Sequence, residues 1–161
     1  DDFAYLFVAM DLFSRQIMGW HVSSSLAAEG ACACLKMALR DLRAPGKSLI
    51  HHSDHGLQYS SHIYGALLKD HHILPSMGEV GNCYDNAFAE RLIGILKDEY
   101  LLDATFTNLG QLTAFVKEVV FLYNTDRPHL SLKLASPSQV YEGECQNVPC
   151  IEIPEVAMLD S

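Results

Sequence analysis

The chain lacks any uninterrupted apolar run of the roughly 18 residues that a membrane-spanning helix needs, which excludes a helical span as its organising element. It also lacks a Cys-x-x-Cys pair. Its five cysteines, Cys32, Cys34, Cys83, Cys145 and Cys150, are odd in number and suit a reducing compartment better than a disulfide framework. Positive charge is scarce: 11 lysines and arginines face 20 aspartates and glutamates, for a formal net charge of −9. Such a balance argues against this segment being the main electrostatic clamp on a nucleic acid. It is compatible with an acidic site that works through divalent cations. The chain opens Asp-Asp without a signal peptide or an initiator methionine, and the expectation is a cytoplasmic protein, with this sequence a fragment of a longer one.

What is present is a hydrophobic fraction of 49% over 161 residues, enough for one globular domain with its own core. Residues 4–11 (AYLFVAMD) and 16–23 (QIMGWHVS) are apolar and β-prone, and the link LFSR between them is short enough for an antiparallel hairpin. Residues 27–42 carry Ala31, Leu35, Ala38, Leu39 and Leu42 at helical spacing. A third strand is expected over 47–53, a helix capped by Ser60 or Ser61 and running to about Asp70, and a short fourth strand over 73–76. Residues 78–86, with two glycines and two asparagines, read as a loop. Helices over 87–101 and 109–123 follow, the second ending before Arg127-Pro128 because proline forbids continuation. Irregular chain is expected from Glu142, where Pro149 and Pro154 oppose a long helix. The pattern is an α/β sheet with mixed strand directions, flanked by helices.

The stretch HHSDHGLQYS, residues 51–60, sets Asp54 among three histidines at the end of a strand, where open α/β sheets hold their chemistry. Glu90 lies in the first turn of the 87–101 helix, with 35 residues between it and Asp54. Hard cations such as magnesium and manganese take carboxylates from separate elements in this way, whereas zinc prefers histidine and cysteine. A carboxylate at a helix N-terminus is also favoured by the helix dipole alone, so spacing by itself does not decide between ligand and cap. A zinc hydrolase of the His-x-His-x-Asp-His kind fails here, because Ile50 stands where its first histidine belongs. His51 and His52, consecutive on a strand, must also point to opposite faces. Packing is the expected role of His51, and lining a polar surface that of His55.

Four stretches, YLFVAMDLFSRQIMGW (5–20), HSDHGLQYSS (52–61), SMGEVGNCYDNAFAERLIGILKDEY (76–100) and FLYNTDRPHLSLKLASPSQVY (121–141), resemble in order the catalytic core of bacterial insertion-sequence transposases, related to retroviral integrase. The resemblance implies a ribonuclease H-like fold over residues 1–141, an irregular tail over 142–161 and an Asp-Asp-Glu site. The family's second aspartate falls on Asp54 and its glutamate on Glu90, and the 35-residue gap is the family's own. In the family the first aspartate sits on a preceding strand in a Trp-x-x-Asp-x-Thr motif. No such motif occurs here, so the first strand and one third of the triad are expected to be missing. Asp11 matches a position beside the site, and pairing with Arg15 in the hairpin turn is its plainer role.

The activity so implied is phosphoryl transfer at DNA phosphodiesters with two magnesium or manganese ions roughly 4 Å apart. Lys97, two helical turns beyond Glu90, suits a phosphate contact; Arg91 is a weaker candidate that points elsewhere, and Tyr84 in the loop could stack a base. Arg127 is expected to pin the chain after the last core helix. Partners would be transposon ends, target DNA and further copies of the chain, in the bacterial cytoplasm. The alternative is a catalytically incomplete core that serves mainly for dimerisation.

Overall fold

In the computed structural model residues 3–40, 42, 49–77, 87–100 and 104–143 are described. Strands β1 (Tyr5–Met10) and β2 (Ile17–Ser23) form the expected hairpin, antiparallel, with a register irregularity between Ala9 and Met10. Helix α1 (Ala28–Arg40) lies on it, followed by β3 (Leu49–Ser53), α2 (His62–Asp70) and β4 (Ile73–Met77). Strands β3 and β4 pair in parallel with α2 as their crossover. Helices α3 (Ala87–Asp98), α4 (Leu109–Thr125) and the short α5 (Pro137–Tyr141) complete the described order, with a 3-10 turn at Leu130–Leu132.

Sequence patterning dictates most of these boundaries. Ser61 caps α2, its hydroxyl accepting from Tyr64 N at 3.3 Å. Asn108 caps α4 by accepting from Gln111 N at 2.9 Å, while Gln111 Oε1 reaches back to Thr107 N at 3.0 Å. Helix α4 runs two residues past the expected Tyr123, to Thr125, and still stops before Pro128. Helix α5, for which no helix was expected, ends just before Glu142: Pro137 opens it and the Gln139 side chain accepts from Ser136 N. The expected loop over 78–86 and the tail from residue 144 lie outside the described residues.

Among the described residues the strands pair as two two-stranded ribbons, antiparallel β1–β2 and parallel β3–β4. One core nevertheless joins them. Phe7 of β1, Ala31 and Leu35 of α1, Tyr64 and Leu68 of α2 and Ile73 of β4 cluster together, with Ala9 and Leu49 packed against them. Gly19 lets β2 approach α1 closely, since a Cβ there would run into the Cys34 carbonyl oxygen and the Ala38 nitrogen. The other face of the hairpin meets α3 and α4 in a second cluster built on Val22, Leu92, Leu96, Val116 and Tyr123. Among the described residues, no helix is long and apolar enough to cross a membrane.

Candidate active site

Asp54 immediately follows β3, and its exposed carboxylate accepts from Gly56 N at 2.9 Å. This Asx turn orients one oxygen toward the backbone and leaves the other without a donor among the described residues. The histidines around it divide as strand alternation requires. His51 points into the helices, where Nε2 meets Tyr64 OH at 2.8 Å and the ring packs against Tyr59. Burial, reinforced by neighbouring His52, lowers its pKa. His52 points the opposite way, with Nδ1 3.1 Å from Ser76 Oγ on β4. Burial raises the Tyr59 pKa and the nearby negative charge of Asp54 adds to the shift.

Glu90 sits in the first turn of α3, exposed, and Lys97 is exposed in its last turn. The seven-residue step is close to two turns, which aligns their side chains along one side of the helix. Arg91, one residue round, leaves that side and lines a cavity with Arg15 and Arg127. Tyr84 lies outside the described residues. Asp11 does not take the Arg15 guanidinium expected of it. Its Oδ2 instead accepts from Ser14 N at 2.7 Å and Ser14 Oγ at 2.6 Å, closing the turn, while Arg15 stacks its guanidinium 4.0 Å above the Phe88 ring.

The stretch after the last core helix is a fastening. Asn124 Oδ1 accepts from Ile17 N at 2.9 Å and its Nδ2 donates to Ile17 O at 3.0 Å, so a side chain completes the backbone pairing of β2. Arg127 grips Glu99 with two 2.7 Å bonds. That pairing lowers the Glu99 pKa and raises that of Arg127. Buried His129 stands edge-on to Tyr123, their ring centroids 5.2 Å apart. Its pKa falls to about 4, first through burial and then through Arg127, Arg15 and Arg91.

Among the described residues, no group of three His, Cys, Asp or Glu side chains is placed to hold a metal ion. Asp54 and Glu90, two exposed carboxylates on different elements, carry the hard-oxygen chemistry that suits magnesium or manganese. This pair is unlike a zinc site. Buried Cys32 and Cys34 carry thiols whose pKa burial raises, that of Cys34 to about 12, so neither is a ready metal ligand or nucleophile.

An integrase core domain family model matches residues 1–83, just over half of the 161, and a second one, also described as integrase core domain, matches 71–137. The chain belongs to the integrase core domain family. Transposase InsF for insertion sequence IS3A of Escherichia coli (strain K12) is 38% identical to this integrase core over 136 residues, which is 84% of the chain and 47% of that protein. The insertion element IS600 uncharacterized 31 kDa protein of Shigella sonnei is 34% identical over 139 residues, 86% and 51% of the two chains. The integrase core thus spans about half the length of the curated relatives it matches. Among solved structures, the catalytic core domain of BIV integrase superposes with a TM-score of 0.65 at 20% identity, covering 86% of each chain. The HTLV-2 integrase catalytic core, solved with magnesium, gives 0.59 at 20% identity, covering 84% of this chain and 82% of that one. At these identities the likeness shows the fold, which is the ribonuclease H-like α/β fold of integrase cores.

Sequence reading singled out Asp54, Glu90 and Lys97 from strand-end and helix-face logic, and the structure puts Asp54 just after β3 and Glu90 and Lys97 in the first and last turns of α3. That reading missed the gathering of Arg15, Arg91 and Arg127, whose spacing along the chain has no common period. Only a hairpin turn, a helix and a post-helix segment meeting in space bring them together.

Proposed function

We propose that the chain is the catalytic core of an insertion-sequence transposase, a polynucleotidyl transferase that cuts and joins DNA phosphodiesters at transposon ends. The observation that carries this is the pair Asp54, at the end of β3, and Glu90, in the first turn of α3, in a chain of the integrase core family. Asp54 and Glu90 would hold magnesium or manganese through carboxylate oxygens. When bound, a pair of such ions supplies Lewis acidity that activates the attacking oxygen and takes up charge on the leaving one. Carboxylates hold hard cations without being consumed as nucleophiles, so the protein forms no covalent link to DNA.

Lys97, on the Glu90 side of α3, neutralises a backbone phosphate and sets the register of the strand. Arg91 contacts phosphate from an adjoining face, and Tyr84 is assigned to base stacking. The substrate is transposon-end and target DNA, and the working form is a homodimer or higher homo-oligomer.

Calorimetric titration with manganese tests the reading on the wild-type chain, Asp54→Asn and Glu90→Gln. Each variant should bind at least tenfold more weakly at unchanged fold. Equal affinity in all three removes these carboxylates from the metal site and overturns the proposal.

A further inference from the structure

On α3, Phe88, Arg91, Leu92 and Ile95 follow the i, i+3, i+4, i+7 rule and share one face, while Glu90 and Lys97 point away from it. The first face lines a half-open cavity of about 300 Å³, together with Arg15 from the β1–β2 turn and Arg127 and His129 from the segment after α4. Among the described residues no acidic side chain lines it, in a chain with 20 acids and 11 bases. Three of those bases are here. Arg15 is only 9% exposed, and its Nη1 is buried without a hydrogen-bond partner among the described residues. A buried guanidinium N–H left unpaired is costly, and the ordinary remedy is an acceptor oxygen.

Two of the three arginines are already held: the Arg15 guanidinium lies 4.0 Å from the Phe88 ring centroid, and Glu99 holds Arg127 by two 2.7 Å bonds, while Arg91 is exposed. Such fixed forks suit the oxygens of phosphate, because little side-chain entropy remains to be lost on binding. The depressed pKa of His129 agrees, since all three arginines contribute to it. A phosphate alone would leave most of the space empty: 300 Å³ is on the order of ten waters at about 30 Å³ each. The remaining walls are apolar, with Met10, Leu92 and Ile95.

We propose that this cavity binds a nucleotide, its phosphate on Arg15, Arg91 and Arg127 and its organic body on the apolar walls, at a site separate from the Asp54–Glu90 edge. The nucleotide is either free or part of a single DNA strand; the recognising chemistry is the same. The inference goes beyond the transposase reading and needs no metal.

Calorimetry on the 161-residue chain in excess EDTA tests it, with adenosine 5′-monophosphate, inorganic phosphate, adenosine and an eight-residue oligothymidylate as probes. The monophosphate should bind, with phosphate and adenosine each at least tenfold weaker. Arg91→Gln, an exposed position that should fold normally, should weaken binding roughly tenfold, and Arg15→Lys should do so at unchanged melting temperature or be set aside in favour of Arg91→Gln. Asp54→Asn should bind as wild type does, which separates this site from the proposed metal site. Oligothymidylate binding tenfold tighter than the monophosphate, and lost with Arg15→Lys as well as with Arg91→Gln, assigns the site to a DNA strand; comparable or weaker binding, or tight binding that survives Arg15→Lys, denies the cavity a DNA strand and leaves it to free nucleotide. Absence of binding by both monophosphate and oligomer at millimolar concentration overturns the proposal, as does binding that survives Arg91→Gln unchanged.

Discussion

The two faces of α3 carry opposite kinds of polar site. On one, Glu90 and Lys97 stand in solvent, and the Asp54 carboxylate at the end of β3 is likewise exposed, with one backbone N–H on it. On the other, Arg15, Arg91 and Arg127 surround a cavity in which Arg15 is buried against Phe88, Arg127 is held bidentately by Glu99 and Arg91 is exposed. The exposed carboxylates are placed by where their elements begin and end, so the packing of the core does not rely on them. The arginines are held by each other's neighbours, so charge and packing there are one problem. Removing an exposed carboxylate should therefore cost chemistry and spare stability, while disturbing the cavity should cost stability in proportion to burial.

The sharpest test of that contrast is Asp54→Asn in a transposase containing this core. Strand cutting should fall on the order of 10³-fold or more, since metal-borne charge stabilisation is worth several kcal/mol. Melting of the core should shift by no more than about 2 °C, as for other exposed substitutions. A large loss of melting temperature would break the contrast. Next comes Leu96→Ala, in the cluster beneath the cavity, where the side chain is 2% exposed. Denaturant unfolding should show a loss of about 2–5 kcal/mol.

His129 supplies the intermediate effect. Its folded pKa of about 4 lies below the ordinary 6.5, so the unfolded chain binds more protons between those values. Stability should hold above about pH 6.5 and decline as pH falls through the folded value near 4. His129→Gln should flatten that decline by on the order of 1 kcal/mol, once solvent screening is allowed for, as read by urea midpoints across pH. The smallest effect is expected for Glu99→Gln. It weakens a partly exposed ion pair worth about 1 kcal/mol or less, and the loss should shrink in high salt. An equal loss at all salt concentrations would show that Glu99 acts through packing instead.

How much of this was legible beforehand follows from the range of the interactions. Local rules located the strand ending at Ser53, the Ser61 cap, the start of α3 at Ala87 and the stop of α4 before Pro128, since each depends on a few consecutive residues. The same rules put His51 and His52 on opposite faces of β3. Asp11 was misread for an equally local reason: the hairpin turn offered it Ser14 as well as Arg15, and the nearer hydroxyl and N–H won. Phe88 shares a side of α3 with Leu92 and Ile95 yet is 42% exposed, and the Arg15 guanidinium lies 4.0 Å from its ring centroid, a contact that no local pattern announces.

By itself the sequence determined the α/β order, the family, and the positions of Asp54 and Glu90, because periodicity, capping residues and motif spacing are properties of neighbours along the chain. Tertiary structure alone decided that the strands form two ribbons over a shared core, that Asn124 reaches across to the backbone of Ile17, and that three arginines meet around one cavity. Those arginines lie in segments far apart in sequence, and what unites them is the packing of α3 and α4 against the hairpin, a long-range energy that no local pattern encodes.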